Sequence, residues 1–140
     1  MQKICAFIIM VFSLLLIGFG AFINSSTYFD KYNGAYEVYM FSNSSKAKII
    51  SVDKSRANSF VFKTGEAIFI ENSELEIDEI FEDFNALLLF TEENEEGISY
   101  YGYSKEVKFQ KMIKGKVVNV QVFKGNNGFK IGVPIIYGSF

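Results

Sequence analysis

The chain has 140 residues, of which 49% are hydrophobic and 17% aromatic, with 14 Lys+Arg against 16 Asp+Glu for a formal net charge of −2. That composition excludes a disordered chain, and the acidic balance argues against nucleic acid as a partner. There is no histidine and one cysteine, Cys5, which excludes Ser-His-Asp and Cys-His nucleophile arrangements, His-based zinc or iron sites and a disulfide framework.

In chain order, Lys3 is followed by an uncharged apolar run from Ile4 to Ile23. At ~1.5 Å per residue a helix of that length matches a bilayer core of ~30 Å. A basic start followed by an apolar run is an export signal, with Asn24 onward expected outside the cytoplasm. Two readings stand: a cleaved signal peptide, or a retained anchor that holds the membrane through residues 4–23. Gly18-Phe19-Gly20 is the best small-x-small cleavage match. Cys5 lies too early in the run to be a lipidation site.

Residues 24–34 read as a polar linker and 35–140 as a single α+β domain. Tyr36–Phe41 alternates weakly, as a strand or a helical turn. Ala47–Val52 is a predicted strand and Asp53–Asn58 a polar connection. Phe60-Val61-Phe62 and Ile68-Phe69-Ile70 flank Lys63-Thr64-Gly65-Glu66, which predicts a β-hairpin. Ser73, with Glu76 three residues on, has capping-box spacing for a helix. In that helix Ile77, Ile80, Phe81 and Phe84 form one apolar stripe. From Leu87 the period changes to two. Leu87–Thr91 reads as a buried strand and Glu92–Gly97 as a turn. Strands follow over Ile98–Ser104, Val107–Ile113, Val117–Phe123 and Phe129–Val133, with turns at Lys114-Gly115 and Asn126-Asn127-Gly128. The natural packing is a helix on one face of an antiparallel sheet, preceded by the N-terminal hydrophobic helix.

Charge is segregated. Glu66–Glu96 holds twelve acids and no Lys or Arg, whereas Ile98–Phe140 holds seven Lys and one Glu. There is no P-loop and no Gly-x-Gly-x-x-Gly, so no cofactor is expected. Carboxylates are what remains for catalysis: Glu92, Glu93, Glu95 and Glu96 are the residues that a carboxylate-only glycoside hydrolase would use. Their spacing lacks the alternating ligand pattern of a calcium loop, and no metal site is expected. The second cluster is aromatic and basic. Alternation puts Tyr101 and Tyr103 on one strand face and Tyr100 on the other. With Lys108 and Lys111, Tyr101 and Tyr103 make a candidate partner surface for an envelope protein or a glycan.

Gly115-Lys116-Val117-Val118-Asn119-Val120-Gln121-Val122, Ile131-Gly132-Val133-Pro134-Ile135-Ile136 and, upstream, Ile98-Ser99-Tyr100-Tyr101-Gly102-Tyr103-Ser104 resemble the YwmB-like family of small exported Gram-positive proteins. The resemblance covers the chain from Gly65 onward. It departs at Val133, where a threonine is expected, and at Ser139, where an acid is expected. It implies a fold like that of TATA-box-binding protein, a curved antiparallel sheet with helices on one side. It carries no biochemical role. The function expected from these residues is a non-catalytic envelope binding domain. A carboxylate hydrolase or accessory subunit acting on cell-wall glycan, and a structural or oligomer-forming domain at the membrane, are the alternatives.

Overall fold

The apolar run folds as a helix, α1 (Gln2–Asn24). Its one mid-helix hydroxyl is satisfied internally: Ser13 Oγ donates to the Ile9 carbonyl at 2.8 Å. The computed structural model describes residues 2–24, 27–40, 47–60, 62–71 and 74–138, with side chains in α1 from Ile4 to Ile17. Those α1 side chains are all exposed. Among the residues with described side chains, which in α1 are Ile4–Ile17, no helix is long and apolar enough to cross a membrane.

The rest is α+β. The elements after α1 are β1 (Ala35–Met40), β2 (Lys48–Val52), α2 (Lys54–Ala57), β3 (Lys63–Glu71), α3 (Ile77–Asp83), β4 (Ala86–Asn94), β5 (Gly97–Ser104), β6 (Lys111–Ile113), β7 (Lys116–Val118), β8 (Val120–Gly125) and β9 (Gly128–Val133). Seven strands form one antiparallel sheet in the order β2-β1-β3-β9-β8-β5-β4, and β6 and β7 form a separate hairpin. Both short helices pack on one face, here called inner. Ala57 of α2 and Ile80 and Phe81 of α3 join Tyr36, Ile68, Ile70, Val120, Val122, Phe129 and Ile131 in one apolar core. The stripe predicted for α3 is the stripe that is buried, with Phe84 included and Ile77 packed at its margin. Its start is later than expected. Ser73 lies outside the described residues, and the N-cap position is Glu76, whose amide donates to Glu79 Oε2 at 3.5 Å.

Six expectations are corrected. The polar connection after β2 contains a helical turn, α2. Lys63-Thr64-Gly65-Glu66 is not a turn but the start of β3, which pairs with β1 on one side and β9 on the other. The cause is a bulge: Met40 pairs with Lys63 and Tyr39 with Gly65, so Thr64 is the extra residue. It resets the two-residue alternation and puts Lys63 and Glu66 on the same, inner face, where they bond to each other.

The strand expected over Val107–Ile113 is ordered as a strand only from Lys111, and the one expected over Val117–Phe123 breaks at Asn119. Asn119 is buried and takes the place of a strand neighbour. Its Oδ1 accepts from the Ser104 amide at 2.7 Å, and its Nδ2 donates to the carbonyls of Ser104 at 2.6 Å and Val107 at 3.1 Å. With those groups satisfied, β7 leaves the main sheet and folds back on β6. The turn between them follows expectation, with φ of 49° at Lys114 and 74° at Gly115. At the other hairpin the positive φ falls on Gly128 alone, at 141°.

Leu87–Thr91, expected as a buried strand, is the outer edge of the sheet, and Leu87 and Leu88 are 72% and 52% exposed. An unbroken apolar run reads as a strand covered on both faces. Among the described residues no strand lies beyond it.

Thr27–Tyr32, within the segment read as a linker, is packed. Phe29 is fully buried, with ring contacts to Tyr36 at 6.5 Å and Phe84 at 5.9 Å. Tyr36 Oη donates to the carbonyls of Phe29 and Tyr32, each at 2.8 Å. Glu66 closes this region. Its Oε2 takes Lys63 Nζ at 2.7 Å, and its Oε1 accepts from Thr27 Oγ1 at 2.9 Å and from the Tyr28 amide. Both members of the ion pair have side chains 1% exposed.

Candidate binding surface

The outer face carries Tyr101, Tyr103 and Lys111 of the residues singled out from sequence. Strand alternation and register line up Glu37, Ala67, Gly132, Gln121, Tyr101 and Phe90 as one row across six strands. The next row is Ala35, Phe69, Lys130, Phe123, Ser99 and Glu92. The C-terminal residues cross the first row at Gly132, where a Cβ would meet Ile135 and Ile136 atoms at 2.7 Å. Only glycine lets the tail lie that close. Gln121 Oε1 accepts from the Ile136 amide at 2.9 Å, and Gln121 Nε2 donates to Ser99 Oγ and Tyr101 Oη at 3.3 Å. The Tyr137 ring meets the Tyr39 ring edge-on at 5.0 Å.

The hairpin of β6 and β7 covers the β4 end of this face. Lys114 pairs with Glu92, and the Nζ atoms of Lys114 and Lys116 lie 5.6 and 5.7 Å from the Phe90 ring centroid. Lys116 Nζ also donates to the Leu89 carbonyl at 3.2 Å. That carbonyl belongs to a second bulge, between Leu88 and Phe90.

The four predicted surface residues do not form one patch. Tyr101 is buried, stacked on Phe90 with ring centroids 4.6 Å apart. Tyr103 is half-buried and faces a groove. Lys111 lies over the Tyr137 ring at 4.9 Å. Lys108 is exposed on the loop before β6, where its amide donates to Tyr28 Oη at 3.1 Å. Tyr101 and Tyr103 share one strand face, as alternation predicts, but Phe90 covers Tyr101.

The groove has a volume of about 400 Å³ and is lined by Leu87, Leu89, Tyr103, Gln110, Lys116 and Val117. It runs beside β4, whose outer backbone edge has no strand partner among the described residues. Leu87 and Leu88 were missed as surface residues. The signal was the pair Glu92 and Glu93 ending the same strand, since charge on a strand is a mark of a sheet edge.

The acidic residues divide. Glu92 belongs to β4. Glu95 and Glu96 form the turn, shaped by Asn94 Oδ1, which accepts from the amides of Glu96 at 2.9 Å and Gly97 at 3.0 Å. They border a second cavity of about 370 Å³ with Phe69, Phe123 and Lys130. Lys130 Nζ is 3.1 Å from Glu37 Oε2. Among the described residues no group of three or more His, Cys, Asp or Glu is placed to hold a metal ion.

Burial pushes the Tyr101 phenol up from 10.0 to about 12, with the Glu92 carboxylate adding to it. Burial likewise raises Tyr39 and Tyr32. A raised phenol favours the neutral form, so this part of the stability is complete below pH 10 and drains away as pH climbs from 10 to about 12. An alkaline titration followed by tyrosinate absorbance and circular dichroism is expected to show late phenols ionising together with loss of the sheet. Ionisation of every tyrosine with the sheet intact is the contrary result. Glu92 is shifted the other way, held below the usual carboxylate range by Lys114 and then by Tyr101. That contribution is lost as pH falls, and it is small because the pair is exposed.

Comparison with protein-family models, with curated proteins and with solved structures finds no match for the chain.

Proposed function

We propose that this chain is an extracytoplasmic, membrane-anchored binding domain without catalysis of its own, which takes an extended segment of a partner protein along the open edge of β4. The observation that carries this is the edge itself. It is nine residues long, ends the sheet, displays Leu87 and Leu88 to solvent and borders an apolar groove. Added strands gain affinity from backbone hydrogen bonds and specificity from pockets for alternate side chains. A second copy of the chain fits less well. Antiparallel pairing centred on Phe90 would set Glu92 opposite Leu88 and Glu93 opposite Leu87, charge against apolar. The anchor rests on the uncharged stretch Ile4–Ile23 within α1. The finer fold assignment, a TATA-box-binding-protein-like sheet as in YwmB-like proteins, belongs to the same proposal. Its support is an all-antiparallel sheet with helices on one face.

The test places a photo-crosslinking residue at Leu87 of the full chain in cell envelopes, with Ser51 on the opposite edge as control. The expected result is an adduct with another protein from Leu87 only, lost in Leu88→Lys while circular dichroism stays unchanged. An adduct of the chain with itself moves the reading to an oligomer-forming domain. Turnover of peptidoglycan fragments that Glu95→Gln abolishes moves it to the carboxylate hydrolase.

A further inference from the structure

The strand registers put one end of Lys48, Met40, Lys63, Val133, Val120, Ser104 and Ala86 side by side. This is also the end at which α1 joins the domain. Thr27 is fixed there on Glu66, and three peptide units separate it from Asn24, the last residue of α1. At 3.8 Å per unit the helix end and the domain are at most ~11 Å apart. A chain this short leaves the domain no freedom to stand off a membrane that holds the helix.

The same end shows what a bilayer surface takes. Phe62, just before Lys63, is 73% exposed and has a φ of 66°. A bulky residue is rarely found with positive φ, and here that backbone displays an aromatic ring to solvent. Lys48, Lys105 and Lys108 are exposed around the same end. Of the acids near this end, Asp83 is 2.6 Å from Lys31 Nζ, and Glu106 accepts from Asn85 Nδ2 at 3.1 Å. The turn at the far end of β4 and β5 carries Glu95 and Glu96 instead.

We propose that this entry end, through Phe62, Lys48, Lys105 and Lys108, rests on the anionic headgroup surface of the membrane that α1 enters. An exposed Phe ring buries at the boundary of headgroups and acyl chains, and lysines near the surface are attracted to anionic lipid. The contact rests on the anchor reading above. It orients the domain, with the turn at Glu95 and Glu96 facing away from the membrane and the β4 edge standing across the gap, open to a partner.

The chain has no tryptophan, so Phe62→Trp supplies a unique reporter and Asn126→Trp, at the far end, a control. Each full-length variant is reconstituted in phosphatidylcholine–phosphatidylglycerol vesicles with brominated acyl chains and washed with alkali. The expected result is retention after the wash and bromine quenching several-fold stronger at 62 than at 126. Lys105→Glu with Lys108→Glu in the Phe62→Trp background is expected to remove most of that difference. Retention with equal quenching at the two positions, or quenching indifferent to the charge reversal, overturns the contact and leaves the anchor standing. Release by alkali overturns the anchor reading itself, and the contact with it.

Discussion

Glu66→Ala is expected to destabilise the domain by ~3–5 kcal/mol, the usual cost of removing one partner of a buried ion pair. Three groups lose their acceptor at once. The Lys63 ammonium, 1% exposed, is left in the core without the carboxylate that neutralises it. The Thr27 hydroxyl and the Tyr28 amide lose the same oxygen. Desolvation of a charge is what makes the loss large, so replacing both members is expected to cost much less than replacing Glu66 alone. Lys63→Met with Glu66→Leu keeps the volume and removes the charge. Urea melts of the single and double variants check this. A Glu66→Ala variant within ~1 kcal/mol of the parent would mean that water reaches the pair.

The second large effect lies in a segment with no obvious core signature. Phe29→Ala is expected to cost ~3–5 kcal/mol. The ring is fully buried among Tyr32, Tyr36 and Phe84, and the backbone around it is tied down by the Tyr36 hydroxyl. Removing it leaves a cavity between the N-terminal segment and α3 that the sheet cannot close. Thermal or urea unfolding of this variant decides whether the domain begins at Thr27 or at the first strand. An effect below ~1 kcal/mol would mean that the segment is dispensable packing.

Sequence and structure agree at α3, at the Lys114-Gly115 turn and at β5. The α3 stripe needs only a window of eight residues, and Ile80, Phe81 and Phe84 are indeed its buried side. The Lys114-Gly115 turn follows from the positive φ that a two-residue hairpin requires. The β5 strand follows from its aromatic and β-branched residues. The antiparallel α+β class follows from these elements in series. The four residues expected to make a surface could not be assembled that way. Tyr101 and Tyr103 share a face by period alone, yet whether either is exposed depends on Phe90 and the β6–β7 hairpin, which come from elsewhere in the chain.

The sequence by itself determined the apolar N-terminal helix, the segregation of acids from lysines, the amphipathic α3 and the hairpin turns at Lys114-Gly115 and Asn126-Asn127-Gly128, because each depends on residues within a few places of one another. Only the tertiary structure decided the rest. A run such as Leu87-Leu88-Leu89-Phe90 has the same pattern in a central strand as at an edge, and the sheet order alone makes it an edge. Lys63 and Glu66 look like a turn until a one-residue bulge turns both inward and low dielectric makes them partners. Phe29 sits in a polar stretch and becomes core because Tyr36 and Phe84, seven and fifty-five positions further along the chain, close around it. In each case the deciding contact lies between residues whose separation along the chain carries no local pattern.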